Sequence, residues 1–405
     1  MEKFWGIFIM NEIIVAGVGT GALEHLTHEV SRAIKDADVI VSNSRFVKII
    51  PDGKKFIELT NIKETFTRIQ DEQGKILILV SGDTGLYSLL PLVKNFFNDK
   101  NIKVLAGLSS LQILCAKSCE VWTDAKIFSG HGRELNIGEF LNTIEINQRT
   151  VLFCDKRFSP AWVCNELKSF DDVEVFIGSN LGSENEIFLC GNPIDFLDKN
   201  FPELSIIMIK NHAVFSIEKI HLRDYDFLRE KDIVMTNENV RAVILSKLEL
   251  KKDSILWDIG AGSGSISVSA AYESISMKIH AVEQNTKAVD LISRNVAKFH
   301  LHNIKIHEGL ASEIIKNLPI PSHVFIGGSG GEMKQILEFI TKLQSSVRIV
   351  IACVTLENFN QAYTLMKGMK NFETTQISVT SSRHLNDELT LMKANNPVII
   401  LCGDT

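Results

Sequence analysis

The sequence predicts an α/β protein built from two unlike units on one chain. Short apolar, β-branched runs alternate with segments of helical periodicity along most of its 405 residues. Two glycine loops, Gly17–Gly21 and Gly260–Gly264, each directly follow an apolar run. The two halves also share no fixed repeat period, so they read as different units rather than duplicates.

In the first half, Ile13–Ala16 is a strand running into glycines. Leu26, Val30, Ala33 and Ala37 recur at helical spacing, with Thr27 as N-cap. Val39–Val41 is the next strand, and Ile76–Val80 is apolar throughout, as in a strand buried on both faces. That strand breaks at Ser81-Gly82-Asp83-Thr84-Gly85. Val104-Leu105, Thr150–Phe153 and Leu204–Ile209 follow as strands. From about Asn211 to Thr236 the chain is charged and aperiodic, which predicts a connector rather than core. The second half then has seven strand starts, near Ser254, Lys278, Ile304, His323, Val347, Glu373 and Val398, separated mostly by helices such as Thr286–Phe299 and Glu332–Leu343. Six βα steps and a closing strand predict a doubly wound sheet with an antiparallel last strand. The expected division is an extension over 1–11, a first domain over 12–210, a linker over 211–229 and a second domain over 230–405.

Composition narrows the function. The chain is 45% hydrophobic and 23% charged with 8 prolines, which excludes disordered and collagen-like classes. Its formal charge of -6 and the absence of a Lys/Arg stripe with interleaved aromatics argue against nucleic acid as a partner. Seven widely scattered cysteines predict reduced, buried thiols, and the Cys115-x-x-x-Cys119 spacing does not suit a zinc knuckle, so no metal is expected. No apolar run approaches the roughly 20 residues of a membrane span. Phe4–Met10 is short and lacks a small-residue cleavage site, and Met10 could itself be the start. A cytoplasmic location is expected.

The sharpest motif is Trp257-Asp258-Ile259-Gly260-Ala261-Gly262-Ser263-Gly264-Ser265. Its glycines let backbone approach a ligand, and the following helix adds the positive end of a dipole. Glu283 ends the next strand, where a carboxylate can accept both hydroxyls of a ribose. A dinucleotide fingerprint would place its third glycine at 265, where serine stands. Asp258 could accept hydrogen bonds from the loop or from an ammonium group. The pattern therefore suits S-adenosylmethionine better than a nicotinamide dinucleotide. In Ile326-Gly327-Gly328-Ser329-Gly330-Gly331, four glycines around one serine expose successive N–H groups, with Gly328 and Ser329 as candidates for a substrate carboxylate.

Met235–Arg241, the glycine loop and Phe325–Gly331, in that order, resemble the decarboxylating precorrin methyltransferases of vitamin B12 synthesis, a class I family, over about 230–405. The resemblance implies that Thr236, Gly260, Ala261, Gly262, Ser263, Gly264, Glu283 and Ala311 line the S-adenosylmethionine site. Arg241 is the candidate for holding a substrate carboxylate. One departure is Gly309-Leu310-Ala311, where the family has an acid at the middle position. In the first half, Gly17-Val18-Gly19-Thr20-Gly21, Ser81–Gly85 and Gly107-Leu108-Ser109-Ser110 resemble the tetrapyrrole methylase family over about 12–210, and Ser129-Gly130-His131-Gly132-Arg133 resembles its late corrin branch. Thr20 and Thr84 replace the usual prolines, so φ there is not fixed by a ring.

Together these resemblances imply a two-lobed class III methylase followed by a Rossmann-like class I methyltransferase. The first would bind S-adenosylmethionine near Gly17, Gly19, Asp83, Gly85, Ser109 and Ser110. His131 is its candidate catalytic residue, and Arg133 and Arg45 are candidate clamps for substrate carboxylates. The implied activity is methylation of carbons 5 and 15 of precorrin-6B or its cobalt form, with loss of the ring-C acetate carboxylate. The implied partners are a tetrapyrrole substrate and further copies of the chain, as a dimer or tetramer, with neither nucleic acid nor membrane. An RNA methyltransferase, a non-catalytic S-adenosylmethionine sensor and a nicotinamide dehydrogenase are the rival classes.

Overall fold

The computed structural model describes residues 12–97, 102–132, 134–215, 221–384 and 389–405. The chain divides into two compact units, one of residues up to 135 with 147–214, the other of 136–146 with 215–405. The expected extension at 1–11 lies outside the described residues.

The first unit begins with β1 (Glu12–Gly17), α1 (His28–Asp36), β2 (Val39–Ser42), β3 (Lys55–Glu58), α2 (Ile62–Ile69), β4 (Lys75–Val80), α3 (Leu90–Phe97), β5 (Ile102–Leu105) and α4 (Ser110–Ser118). Its strands form one parallel sheet in the order β3-β2-β4-β1-β5. The apolar run of β4 is explained by two separate clusters, Leu77 and Leu79 facing one and Ile76, Ile78 and Val80 facing the other. The Thr27 hydroxyl caps α1 by accepting from Val30 N at 3.2 Å, as the sequence predicts. A second sheet, β6-β7-β10-β8-β9, comprises β6 (Lys126–Ser129), β7 (Arg149–Phe153), β8 (Val173–Ser179), β9 (Ile187–Gly191) and β10 (Ser205–Asn211). Between β6 and β7 runs α5 (Ile137–Ile146), which belongs to the other unit, and α6 (Pro160–Leu167) precedes β8.

The second unit continues with α7 (Glu238–Leu248), β11 (Ile255–Ile259), α8 (Ser265–Glu273), β12 (Lys278–Glu283), α9 (Thr286–Lys298), β13 (Ile304–Glu308), α10 (Ala311–Ile314), β14 (His323–Ile326), α11 (Met333–Ile340), β15 (Arg348–Cys353), α12 (Leu356–Met366) and β16 (Lys370–Ile377). It ends with β17 (Thr380–His384), β18 (Thr390–Ala394) and β19 (Val398–Asp404). The seven-stranded sheet has the order β13-β12-β11-β14-β15-β19-β16, and β19 runs antiparallel to both neighbours. This is the doubly wound arrangement with an antiparallel last strand that the seven predicted starts describe. The β17–β18 hairpin is absent from the sequence reading for a physical reason. Every residue of β18 is exposed, so it has no buried face to impose alternation.

Two expectations need correction. The stretch taken as connector contributes core, because Leu222 and Phe227 are buried in the cluster of Val240, Ile244 and Leu256. They stand among charged residues that reach solvent, so no period betrays them. Among the cysteines, Cys119 and Cys190 are exposed rather than buried, although all seven are free thiols. No helix among the described residues is long and apolar enough to cross a membrane.

Candidate functional site

In the second unit the glycine loop leaves β11, which lies between β12 and β14. Gly260 N and Ala261 N donate to Val282 O at 2.9 and 3.2 Å, which turns the chain over the end of β12. Gly260, Gly262 and Gly264 have φ of 69°, 56° and 76°. A Cβ on Gly260 would overlap the Gly328 backbone, and one on Gly262 would lie 2.7 Å from Val234 O. Glycine is thus required twice over, by conformation and by close backbone packing.

The Glu283 carboxylate closes the loop. Its Oε2 accepts from Gly262 N at 2.9 Å, and its Oε1 accepts from Gln284 N and Asn285 N at 2.9 and 3.0 Å. Asp258 is fully buried beneath. Its Oδ2 accepts from the Ser267 hydroxyl and N at 2.6 and 3.0 Å, pinning α8 to β11. Burial pushes this carboxyl up to about 6 against those bonds, with the Glu283 charge adding to the rise. Asp258 lies behind the cavity wall rather than on it.

A cavity of about 860 Å³ opens over this end of the sheet. It brings together Thr236, Gly260, Ala261, Gly262, Ser263, Glu283, Ala311, Gly328 and Ser329. Gly264 is off the wall, capping α8 and packed toward Ile292. Arg241 is also elsewhere, and the expected substrate clamp does not fit its placement. It is 2% exposed, and its guanidinium donates to Asp224 Oδ1 at 3.1 Å and to Thr236 O and Leu222 O at 2.8 Å. Stacked on Phe227, it holds the Thr236 segment in place from behind.

Sequence reasoning missed Val234, Gln284, Asn285, Glu332, Val379, Asn395 and Asn396 on the wall. Val234, Gln284, Asn285 and Glu332 carried the signal of adjoining the Met235–Arg241 motif, Glu283 and the Gly327–Gly331 run, while Val379, Asn395 and Asn396 carried none. Glu332 also acts within the site. It takes the Ser312 hydroxyl and N at 2.6 and 3.2 Å and so joins two loops of the site. Leu310 is 43% exposed and is not among the lining residues.

The wall is suited to a nucleoside bearing positive charge. Apolar Ile266, Val282, Ala288 and Leu291 accompany the ribose-type acceptor Glu283. Among the described lining residues the only cationic side chain is Arg229, against Asp224, Glu230, Asp232, Glu283 and Glu332. That balance disfavours a pyrophosphate and favours a sulfonium.

In the first unit three glycines meet at the carboxyl end of the parallel sheet. A Cβ on Gly17 would lie 2.6 Å from Gly82 O, and one on Gly107 would overlap the carbonyls of both. Gly19 and Gly82 exchange backbone hydrogen bonds of 3.2 and 2.7 Å. The Asp83 carboxylate accepts from Gly85 N at 2.8 Å and Gly107 N at 3.1 Å, tying the β4 and β5 loops together. Ser109 caps α4 in a capping box with Gln112, and Ser110 is its first residue. Gly17, Gly19, Asp83, Gly85, Ser109 and Ser110 therefore gather at one sheet end. His131 lies after β6 of the other sheet, exposed, with its ring Nδ1 donating to Cys154 O at 3.0 Å. Arg133 lies outside the described residues. Arg45 is exposed and stacks on Phe46 at 4.5 Å.

Comparison with known proteins agrees with both halves. Residues 12–192 match the family model of tetrapyrrole (corrin/porphyrin) methylases, and 228–402 match that of the precorrin methyltransferase domain. A precorrin-6Y C(5,15)-methyltransferase [decarboxylating] of Sinorhizobium sp is 26% identical over 354 residues, 85% of each chain. A probable cobalt-precorrin-6B C(15)-methyltransferase (decarboxylating) of Saccharolobus solfataricus is 35% identical over 187 residues, 44% of this chain and 92% of that one. The corresponding Salmonella typhimurium enzyme is 34% identical over 183 residues, 44% of this chain and 94% of that one. The chain belongs to the precorrin methyltransferases, carrying a tetrapyrrole methylase region ahead of a decarboxylating methyltransferase domain.

Proposed function

We propose that the chain is a bifunctional S-adenosylmethionine-dependent C-methyltransferase of corrin synthesis, adding methyl groups at carbons 5 and 15 of precorrin-6B or cobalt-precorrin-6B and releasing the ring-C acetate carboxylate as carbon dioxide. The observation that carries this reading is the order of two methylase regions on one chain, each with its glycine-built sheet end. S-adenosylmethionine supplies an activated methyl group, so the protein needs no nucleophile of its own.

What the residues must do is bind, align and exclude water. In the second unit, Glu283 and the Gly260–Ser263 backbone would hold the nucleoside, with Thr236 and Ala311 along its sides. Ser329 would present its N–H to a substrate carboxylate, while Gly328, whose own N–H donates to Ile259 O at 3.4 Å, leaves room for close approach, since nothing lies within 4 Å of a Cβ placed there. Loss of carbon dioxide leaves an electron pair that the conjugated macrocycle delocalises, so no strong general base is needed. In the first unit, Gly17, Gly19, Asp83, Gly85, Ser109 and Ser110 would form the second cofactor site, with His131 on the substrate side. We place the enzyme in the cytoplasm, as a homo-oligomer without nucleic acid.

The test is the product mass after anaerobic incubation with precorrin-6B, or its cobalt form, and S-adenosylmethionine. Gain of two methyl groups with loss of one carbon dioxide is expected. No mass change with either substrate would overturn the corrin assignment, and RNA would be tried next.

A further inference from the structure

Helix α5 lies inside the stretch that matches the tetrapyrrole methylases, yet it packs as part of the second unit. An ordinary amphipathic helix buries one stripe and leaves its polar residues wet. Here Phe140, Leu141 and Ile144 are buried, and so are Asn142 and Thr143, at 1% and 5% exposure. The polar side chains have specific partners. Asn142 Oδ1 accepts from His302 N at 2.7 Å, and Asn142 Nδ2 reaches Ile275 O at 3.4 Å. Glu139 accepts from the Ser276 hydroxyl at 2.7 Å, and Asn136 donates to Ser276 O at 2.9 Å. Glu145 meets the rings of His302 and His300 at 3.0 and 3.3 Å. Gly138 faces this surface because a Cβ there would lie 2.8 Å from Asn303 Cα.

These side-chain contacts fall on two loops, Ile275–Ser276 and His300–Asn303, and Phe215 N adds a bond to Glu145 O at 2.7 Å. Each loop leads directly into a strand, β12 or β13, whose far end carries Glu283 or Gly309 on the cavity wall. β13 is an edge strand of the sheet, with β12 beside it. An edge has pairing on one side only, so a brace at its start restrains it more than it would a central strand.

We propose that the surface formed by Ile275–Ser276 and His300–Asn303 is a docking site for α5 of the same chain, and that the seated helix positions the β12–β13 edge and so the nucleoside end of the second cavity. In this chain the β12–β13 edge is then held in place only when residues 136–146 are seated. This stands on geometry alone and holds whatever the substrate proves to be.

The test is amide hydrogen exchange on the full-length chain carrying N142A and E145A. Exchange at least tenfold faster is expected in peptides covering 275–283 and 300–308, with the β1 and β4 peptides of the first unit unchanged. Unchanged exchange in the 275–283 and 300–308 peptides, or acceleration confined to the helix itself, would overturn the proposal. Should the double variant not fold, Glu145→Gln keeps the shape of the side chain and is expected to give the same pattern at about threefold, and its absence counts equally against the proposal. Gly138→Leu, a wedge in the same seat, is expected to reproduce the double variant. Exchange requires no substrate, so this result and that of the mass measurement are independent.

Discussion

The glycine loops after β1 and β11 look alike in sequence and are built differently. After β1, the glycines from three strand ends press against one another, and neither Gly17 nor Gly107 has space for a Cβ, each being stopped by the Gly82 carbonyl among others. After β11, one loop supplies three left-handed glycines, a helix follows at once, and an acid from the neighbouring strand closes it. In the first region glycine lets backbones touch one another. In the second it also opens a cavity. Stability should therefore dominate the first loop, while the second divides its tasks between buried buttresses and exposed wall.

The largest effect is expected at a buttress. Arg241→Ala removes one of Asp224's partners, Arg229 and Asn237 remaining, and takes a donor from two carbonyls, and should destabilise the second unit by about 3–4 kcal/mol. Denaturant unfolding would show this. A raised KM with unchanged stability would restore the clamp role instead. Gly107→Ala forces two backbones apart and should cost about 3 kcal/mol in the first unit alone. Product analysis at a permissive temperature should then show one methyl group, with decarboxylation retained.

Asp258→Asn comes next. A carboxyl raised to about 6 in the folded state favours the neutral form, so its stabilising contribution is complete below the unfolded value near 3.8 and lost as pH rises through 6. The variant should escape a penalty on the order of 2–3 kcal/mol at pH 7. Its melting temperature relative to the parent should rise from pH 4 to 7. A flat difference would mean that Asp258 is not driven neutral.

Glu283→Gln tests the wall. Replacing an oxygen that accepts backbone N–H groups by an amide that donates should weaken S-adenosylmethionine binding to the second unit about tenfold, with a lower melting temperature as well, because at least one backbone N–H then faces a donor. Calorimetric titration should show one weakened site of two. Leu310→Asp is the smallest. Leu310 occupies the N-cap of α10 without a capping side chain, so aspartate should add about 0.5–1 kcal/mol of stability. A gain in cofactor affinity as well would show that the family's acid acts on the nucleoside.

The sequence by itself determined the α/β class, the seven strands of the second sheet and the glycine-loop side of the second cavity. Strands such as β4 and β14 are apolar in their cores because they are buried on both faces, and glycine loops mark sheet ends through local backbone constraint, so both signals are readable along the chain. Tertiary structure alone decided the rest. Arg241 is a charged residue in a motif, and only the chain folding back at Leu222–Phe227 turns it from a surface cation into a buried hub. Asn395 and Asn396 reach the wall because an exposed hairpin returns the chain there. Residues 136–146 fall within the expected first domain, 12–210, and their membership in the second unit rests on contacts with residues more than 130 positions away. Pairings across such separations are fixed by packing of the whole unit, and no local pattern records them.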